Sequence, residues 1–527
     1  MRKILLSAIL LSSIIACKKD NLSSESNQQE IEQNLLDAKS VYKQEFSKAF
    51  AKALASNSEL RAFIKNEALK KFDLDYDILY QMVKEEMIGD KKFKDIIAEQ
   101  YEKKENLNEL DRLYPTLTIF VPKLPMDSFS AEKWNTQTEI PQVAYTLNTT
   151  ANVPIVNEKG EEYILEAKYI PSFPIVVIKE NEVVKVSSGA SHSTKASTSN
   201  DNKEKNSDKH LLKSSLYTFE FLDEAFNGLN EKNQKSSPKL RASTINASAI
   251  DPKIKTAFDT YKNTDGWQRD LIYYDITPGQ PKGKFNYDYQ EHITSFMMND
   301  ANSLGIISDQ DGDPINNKNY ADPSWKGNIP KVPWTSGSFQ FRVNILVNAK
   351  NGVGASFNKH FAVDGPDLYD VKYKRFFFGL PPNLLNNMPP VWEIESINPK
   401  KVPLNIPLFN WKLDEYASTI KIIVEEVDDT AEESRSETRT VKFATNFGID
   451  ASLGNEKAKI GLKFGASLEE DRSSTVSYKV TKQSDQLGDV IVNFADKIVT
   501  GFDGSSYTTR EYSSGMYTIG IEPRRVQ

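Results

Sequence analysis

Large apolar residues recur at helical spacing in the first part of this chain and at alternate positions along most of the remainder. Phe46, Ala49, Phe50, Ala53 and Leu54 fall at i, i+3, i+4, i+7 and i+8, the spacing of one buried helix face. The run from Ser56 to Glu59 supplies capping side chains for a second helix, and Leu60, Phe63, Ile64 and Phe72 continue the pattern. Ile78, Leu79, Met82 and Val83 fit a third helix. Phe93, Ile96, Ile97 and Tyr101 fit a fourth, beyond Gly89-Asp90. Residues 28–113 are therefore expected to form a small α-helical domain whose stripes are its core.

The period changes at Tyr114-Pro115. "LTIFVP", "IPQVAYTL" and "FPIVVIKENEVVKV" are β-branched and aromatic runs bounded by Pro, Gly and Asn, which predicts a small β-rich domain over 114–187. From Ser187 to His210 no large apolar residue occurs, so 188–212 reads as a disordered linker rich in Ser, Thr, Asn and Lys. Beyond it, "WQRDLIYYDI", "EHITSFMM" and "LYDVKYKRFFFG" read as strands of a β-rich domain over 213–409. Within that domain Phe339, Phe341, Val343, Ile345 and Val347 alternate with polar residues, Leu346 being the one lapse, which predicts a strand with one dry face. Residues 410–527 carry six more short strands, including "STIKIIVEEV", "STVSYKV" and "MYTIGIE", and are expected to form a C-terminal antiparallel β domain. The expected class is α+β multidomain: a small N-terminal helical domain, then mainly antiparallel, sandwich-like β domains. No fixed-period repeat is visible.

Composition adds an address. The chain has 527 residues, 39% of them hydrophobic and 10% aromatic, enough for real cores, and a net charge of −7 that gives no general attraction to nucleic acid. Its single cysteine, Cys17, comes after Arg2-Lys3, an apolar run from Ile4 to Ile15 and a small Ala16. That run is too short to span a bilayer, which takes about 20 apolar residues, and reads as a signal peptide over 1–16. Ile14-Ile15-Ala16-Cys17 resembles the lipobox of bacterial lipoproteins. The resemblance implies a diacylglycerol on the Cys17 thiol, cleavage before it and an acylated amino group, with a polar tether here over 17–27. Two or three acyl chains hold a protein firmly where one does not. In that family an Asp directly after the cysteine retains the protein in the inner membrane. Here the position is Lys18, which points to the outer membrane. Lys18-Lys19-Asp20 also looks like the surface-export signals of Bacteroidota lipoproteins. No disulfide is available, so stability must come from the cores.

Catalytic signatures are sparse. The four histidines are His192, His210, His292 and His360, with no HExxH and no close pair. No G-x-S-x-G elbow is present. "GQPKGKF" at Gly279–Phe285 is one residue short of a phosphate loop, and "GVGASF" from Gly352 reads as a hairpin turn. Asp309, Asp311 and Asp313 sit at alternate positions as in calcium loops, but the glycine is early at Gly312 and Tyr320 replaces the closing Glu, so a turn is expected. Glu425, Glu426, Asp428, Asp429, Glu432 and Glu433 form an acidic run that reads as a solvated loop. No metal site, cofactor or catalytic residue is assigned. Lipidation of Cys17 is the one assigned modification.

Three functions remain. The first is a non-enzymatic binding or structural protein, lipid-anchored at the membrane, with an extracellular glycan or protein ligand. Trp325 and Trp334, set among Pro and Gly, would suit carbohydrate stacking. The second is an extracellular hydrolase with a carboxylate site. The third rests on "AKIGLKFGASL", where Ala458, Ile460, Leu462, Phe464, Ala466 and Leu468 alternate with polar or small residues. Upstream, Val441, Phe443, Phe447, Ile449 and Leu453 do so less cleanly, and Gly454-Asn455 joins the two segments. This predicted hairpin resembles the insertion region of aerolysin-like pore formers. The resemblance covers some forty residues and implies strands with one lipid-facing and one water-lining face.

Overall fold

The structure, a computed structural model, describes residues 39–147, 152–186, 211–214, 217–230, 250–264, 266–280, 282–307, 334–352, 354–377, 389–427, 431–444, 460–461, 469–481 and 485–526. The signal, the tether, the linker up to residue 210, Asp309, Asp311, Asp313, Trp325 and Gly454-Asn455 lie outside the described residues.

The first described helix, 39–56, turns Phe46, Ala49, Phe50, Ala53 and Leu54 into the interior as the spacing requires. Asn57 then caps Ser58–Ala68, its Oδ1 accepting from the Leu60 backbone N–H at 3.0 Å. These helices do not make a core of their own. They pack on a six-stranded sheet ordered Asp77–Leu79, Leu117–Phe120, Ile175–Glu180, Gln142–Tyr145, Val153–Val156 and Glu162–Leu165, and one apolar cluster runs through both layers. Pairing is antiparallel except between Gln142–Tyr145 and Ile175–Glu180. Ile78 and Leu79, expected on a helix, lie in the first of these strands, opposite Ile119 and Thr118, and Tyr80–Val83 adds one helical turn. All three strand residues are buried, so no alternation betrays the strand, and short apolar runs are ambiguous by period alone.

After the linker the chain returns to this half. Leu211–Lys213 and Thr218–Phe221 form a small sheet with Val184–Val186. The remainder builds a sandwich. One sheet is ordered Val402–Pro407, Tyr289–Met298, Tyr517–Arg525, Glu511–Ser513, and the facing sheet Ala355–Val363, Phe339–Ala349, Tyr416–Glu426, Asp485–Asn493. Phe296 of the first sheet packs 4.9 Å from Phe341 and 5.4 Å from Phe361 of the second, ring centre to ring centre. Each such aromatic pair adds about 0.5–1.5 kcal/mol beyond its buried area.

Two helices, Pro252–Tyr261 and Gln268–Tyr274, join the sandwich core. The second replaces the strand expected from "WQRDLIYYDI". Every one of its residues is buried, Gln268, Arg269 and Asp270 included, so it presents no solvent face, and without one the helical period is invisible.

A two-stranded ribbon covers the outer face of the second sheet. Glu432–Ala444 pairs antiparallel with Glu469–Thr481 along the full length of both strands. Val476 packs against Leu346 and Ile423, and Val441 and Phe443 against Ala417. Arg439 reaches Asn348 Oδ1 at 2.8 Å, Arg342 reaches Glu432 at 2.6 Å, and Lys421 reaches Glu437 at 2.8 Å. The ribbon explains why Phe339–Ala349 lacks the solvated face predicted for it: Gln340, Arg342, Asn344 and Asn348 are all buried. Leu346, the apparent lapse in alternation, is the residue that meets Val476.

A last sheet spans the two halves. Tyr369–Phe376 pairs with Val391–Pro399, whose start pairs in turn with Tyr169–Pro171 from the N-terminal half. The described chain is thus mainly antiparallel β, with most of the described helices in the N-terminal part.

A candidate binding cleft between the two halves

Beside that joint lies a cavity of about 380 Å³. The N-terminal half contributes Asp75, Tyr76, Phe120 and the segment from Pro122 to Asp127. The C-terminal half contributes Leu304, Trp334, Gly337, Ser338, Asp364–Asp367, Tyr369, Val371 and Tyr373. Volume and lining both fall in the range of small-ligand sites, apolar walls with a few placed polar groups.

Ser338 organises the polar side. Its backbone N–H donates to Asp75 Oδ2 at 2.7 Å and its hydroxyl donates to Asp364 Oδ1 at 2.7 Å, so two carboxylates from distant segments meet at one residue. The preceding Gly337 makes this possible. It has φ +95°, and a Cβ there would stand 2.0 Å from Asp75 Oδ2. At the rim, Met126 and Asp127 both adopt left-handed backbone, φ 53° and 55°, a costly conformation for side-chain-bearing residues that clusters at functional sites.

Burial, together with the Asp364 charge, pushes the Asp75 carboxyl above its ordinary range. Asp367 is raised by burial and by Asp364 in the same way. Behind the wall, Lys179 is buried with Asp77 at 3.1 Å and Glu182 at 2.8 Å, and donates to the Ser336 carbonyl at 3.1 Å. Burial opposes its charge, but Asp77 and Glu182 hold it cationic. Asp73, in the same group, is pushed up to about 7 by burial and by Asp75. Lys179 also acts on the cleft: its charge opposes the rise at Asp75, and its Nζ lies 5.1 Å from the Phe120 ring centre.

No family model, characterised protein or solved structure matches this chain. The chemistry of the cleft is what speaks for its role.

Of the aromatics singled out in the sequence, Trp334 is a buried plug of the N-terminal core with one side in the cleft lining, not an exposed platform. The acidic run is not one solvated loop. Glu425 and Glu426 end one strand, wholly buried, and Glu432 and Glu433 begin the next. Glu432 is held by Arg342 at 2.6 Å and Lys479 at 3.0 Å, and Glu433 by Arg435 at 2.6 Å. Asp428 and Asp429 lie outside the described residues. His292 binds the Gln290 carbonyl through Nδ1 at 3.0 Å, and His360 stands 3.1 Å from Asp223. Neither histidine lines the cleft. Among the described residues no three His, Cys, Asp or Glu side chains converge as a metal site, and no helix is long and apolar enough to cross a membrane. Sequence reasoning missed Asp75, Ser338 and Asp364. The turn-forming Asp364-Gly365-Pro366-Asp367 was the only local signal.

Proposed function

We propose that this chain is a lipid-anchored protein of the bacterial outer membrane, held through Cys17, that binds a ligand in the cleft without transforming it. The cleft carries this reading: it is apolar-walled, has two carboxylates fixed by one serine, and is bounded by strained backbone. The lipobox-like Ile14-Ile15-Ala16-Cys17, the polar tether and Lys18 support the anchor and its membrane. An array of glycans, peptides and small metabolites probed with the full chain is expected to yield a ligand whose binding is lost in Asp364→Arg, where a long cation replaces a carboxylate of the lining. That ligand should be recovered unchanged. A ligand indifferent to Asp364→Arg overturns the reading, and one recovered cleaved overturns it in favour of a hydrolase. In the anchor arm, labelled palmitate should enter the natural chain and not Cys17→Ser. Equal labelling of both removes the anchor.

The predicted hairpin over 441–468 lies mostly outside the described residues, and the ribbon that flanks it supports a second reading, membrane insertion. Its outer face is a hydroxyl array, Ser434, Ser436, Thr438 and Thr440 beside Ser473, Thr475 and Ser477, all exposed. Its inner face carries Val441, Phe443, Val476 and Val480, all buried. That is the alternation of a membrane barrel, and each strand exceeds the 9–11 residues, in rough terms, that cross a bilayer. On the same side by register lie Glu433, Arg435, Glu437, Arg439, Arg472 and Ser474, which break the apolar face and make this reading the weaker. If the ribbon inserts, the protein releases dye from liposomes, a Leu346→Cys, Val476→Cys disulfide abolishes release, and reductant restores it. Liposomes left intact by the unlocked chain end this reading.

A further inference from the structure

We infer that the cleft takes an organic cation with an apolar body, its ammonium seated between Asp75 and Asp364 and its hydrocarbon part against Phe120, Tyr369 and Tyr373. This rests on the binding reading and names the ligand class. The first argument is charge. Asp75, Asp364 and Asp367 line one cavity, and among the described residues none has an ion-pair partner within 4 Å. The nearby bases act on these carboxyls only at a distance, Lys179 on Asp75 and Lys400 and Lys123 on Asp367, and Lys179 and Lys400 make their close contacts elsewhere. Lys179 is held by Asp77 and Glu182, and Lys133 by Asp127 at 2.7 Å. Lys400 Nζ donates to the Pro366 carbonyl at 2.7 Å. Lys123 is the one cation in the lining among the described residues.

The second argument is geometry. Ser338 bonds both Asp75 and the exposed Asp364, which holds two carboxyl groups to one residue of the cavity wall. Gly337 is the residue that permits this, since any side chain there would collide with the Asp75 carboxylate. Packing two like charges together costs free energy that a cation between them would recover. The third is the rest of the wall. Aromatic faces attract cations and bury hydrocarbon, so an ammonium bearing an apolar group satisfies both sides of the cleft at once. A neutral sugar would use the aromatics but leave the carboxylate repulsion in place.

Calorimetric titration of the full chain with phenethylammonium tests this, with 2-phenylethanol as the neutral isostere and maltotriose as a neutral sugar. The ammonium is expected to bind, at least about tenfold more tightly than the alcohol. Asp364→Asn keeps an acceptor for Ser338 and should weaken the ammonium about tenfold while leaving the alcohol unchanged, and added salt should weaken only the ammonium. Equal affinity for ammonium and alcohol, an unchanged affinity in Asp364→Asn, or no ammonium binding by a natively folded chain overturns the inference. Maltotriose binding that depends on Asp364, without ammonium binding, overturns the cation while leaving the cleft a binding site. The ligand array decides that broader reading separately.

Discussion

Arg269→Met should remove about 3–5 kcal/mol from the stability of the sandwich, the usual consequence of stripping one partner from a buried ion pair. Arg269 and Glu291 are both fully buried. Nε meets Oε1 at 2.8 Å and Nη2 meets Oε2 at 3.1 Å, a bidentate pair. Tyr273 donates to the same Oε1 at 2.9 Å, Nη1 reaches the Asp496 carbonyl at 3.0 Å, and the guanidinium lies 5.5 Å from the Trp411 ring centre. The pair thus ties the helix Gln268–Tyr274 to the strand Tyr289–Met298 and to the turn after Asp485–Asn493. Losing the arginine leaves Glu291 as an uncompensated charge in the core. Urea unfolding monitored by tryptophan fluorescence reads the effect, and the double variant Arg269→Met, Glu291→Leu should recover most of it. A single variant as stable as the natural chain would show that the pair contributes nothing.

The neighbouring residue gives the second large effect, with the opposite sign. Asp270 is buried, its Oδ1 has no hydrogen-bond partner among the described residues, and burial pushes its carboxyl up to about 8. Its folded pKa lies above its unfolded one, so its contribution is fully present below about 4 and is lost as pH rises to about 8. Between pH 5 and 8 this single group should cost on the order of 4 kcal/mol. Asp270→Asn cannot ionise, so it should gain on the natural chain steadily across that window and be closest to it at the acid end. Unfolding free energies measured at several pH values check this. Parallel curves for the two chains would mean that Asp270 is ionised in the fold.

How much of this is legible in sequence depends on which faces the residues show. The helix 39–56 and the strand Phe339–Ala349 are recognisable in type because each carries a periodic apolar set. The helix Gln268–Tyr274 and the strand Asp77–Leu79 mislead because they are buried all round, and burial without a solvent face erases the period that identifies an element. The ribbon hides for a related reason. Its inward residues include Glu437, Arg439 and Ser474, so the face that packs on the sheet looks half solvent-exposed in sequence. Asn344 lies in that layer with neither side-chain polar atom hydrogen bonded among the described residues. The cleft is the least legible. Asp75, Ser338 and Asp364 come from three segments brought together only by tertiary packing, and no local spacing announces such a meeting.

The strand Val391–Pro399 has a consequence for how the molecule comes apart. Val391 belongs to the core of the N-terminal half and Ile394 to the core of the sandwich, three residues away on one strand. Its first residues share main-chain hydrogen bonds with Tyr169–Pro171 while its whole length pairs with Tyr369–Phe376. Melting either core therefore strips a ladder from an element the other core needs. The two halves are coupled unfolding units rather than beads on a string, and a ligand seated in the cleft beside this strand would raise the melting temperature of both together.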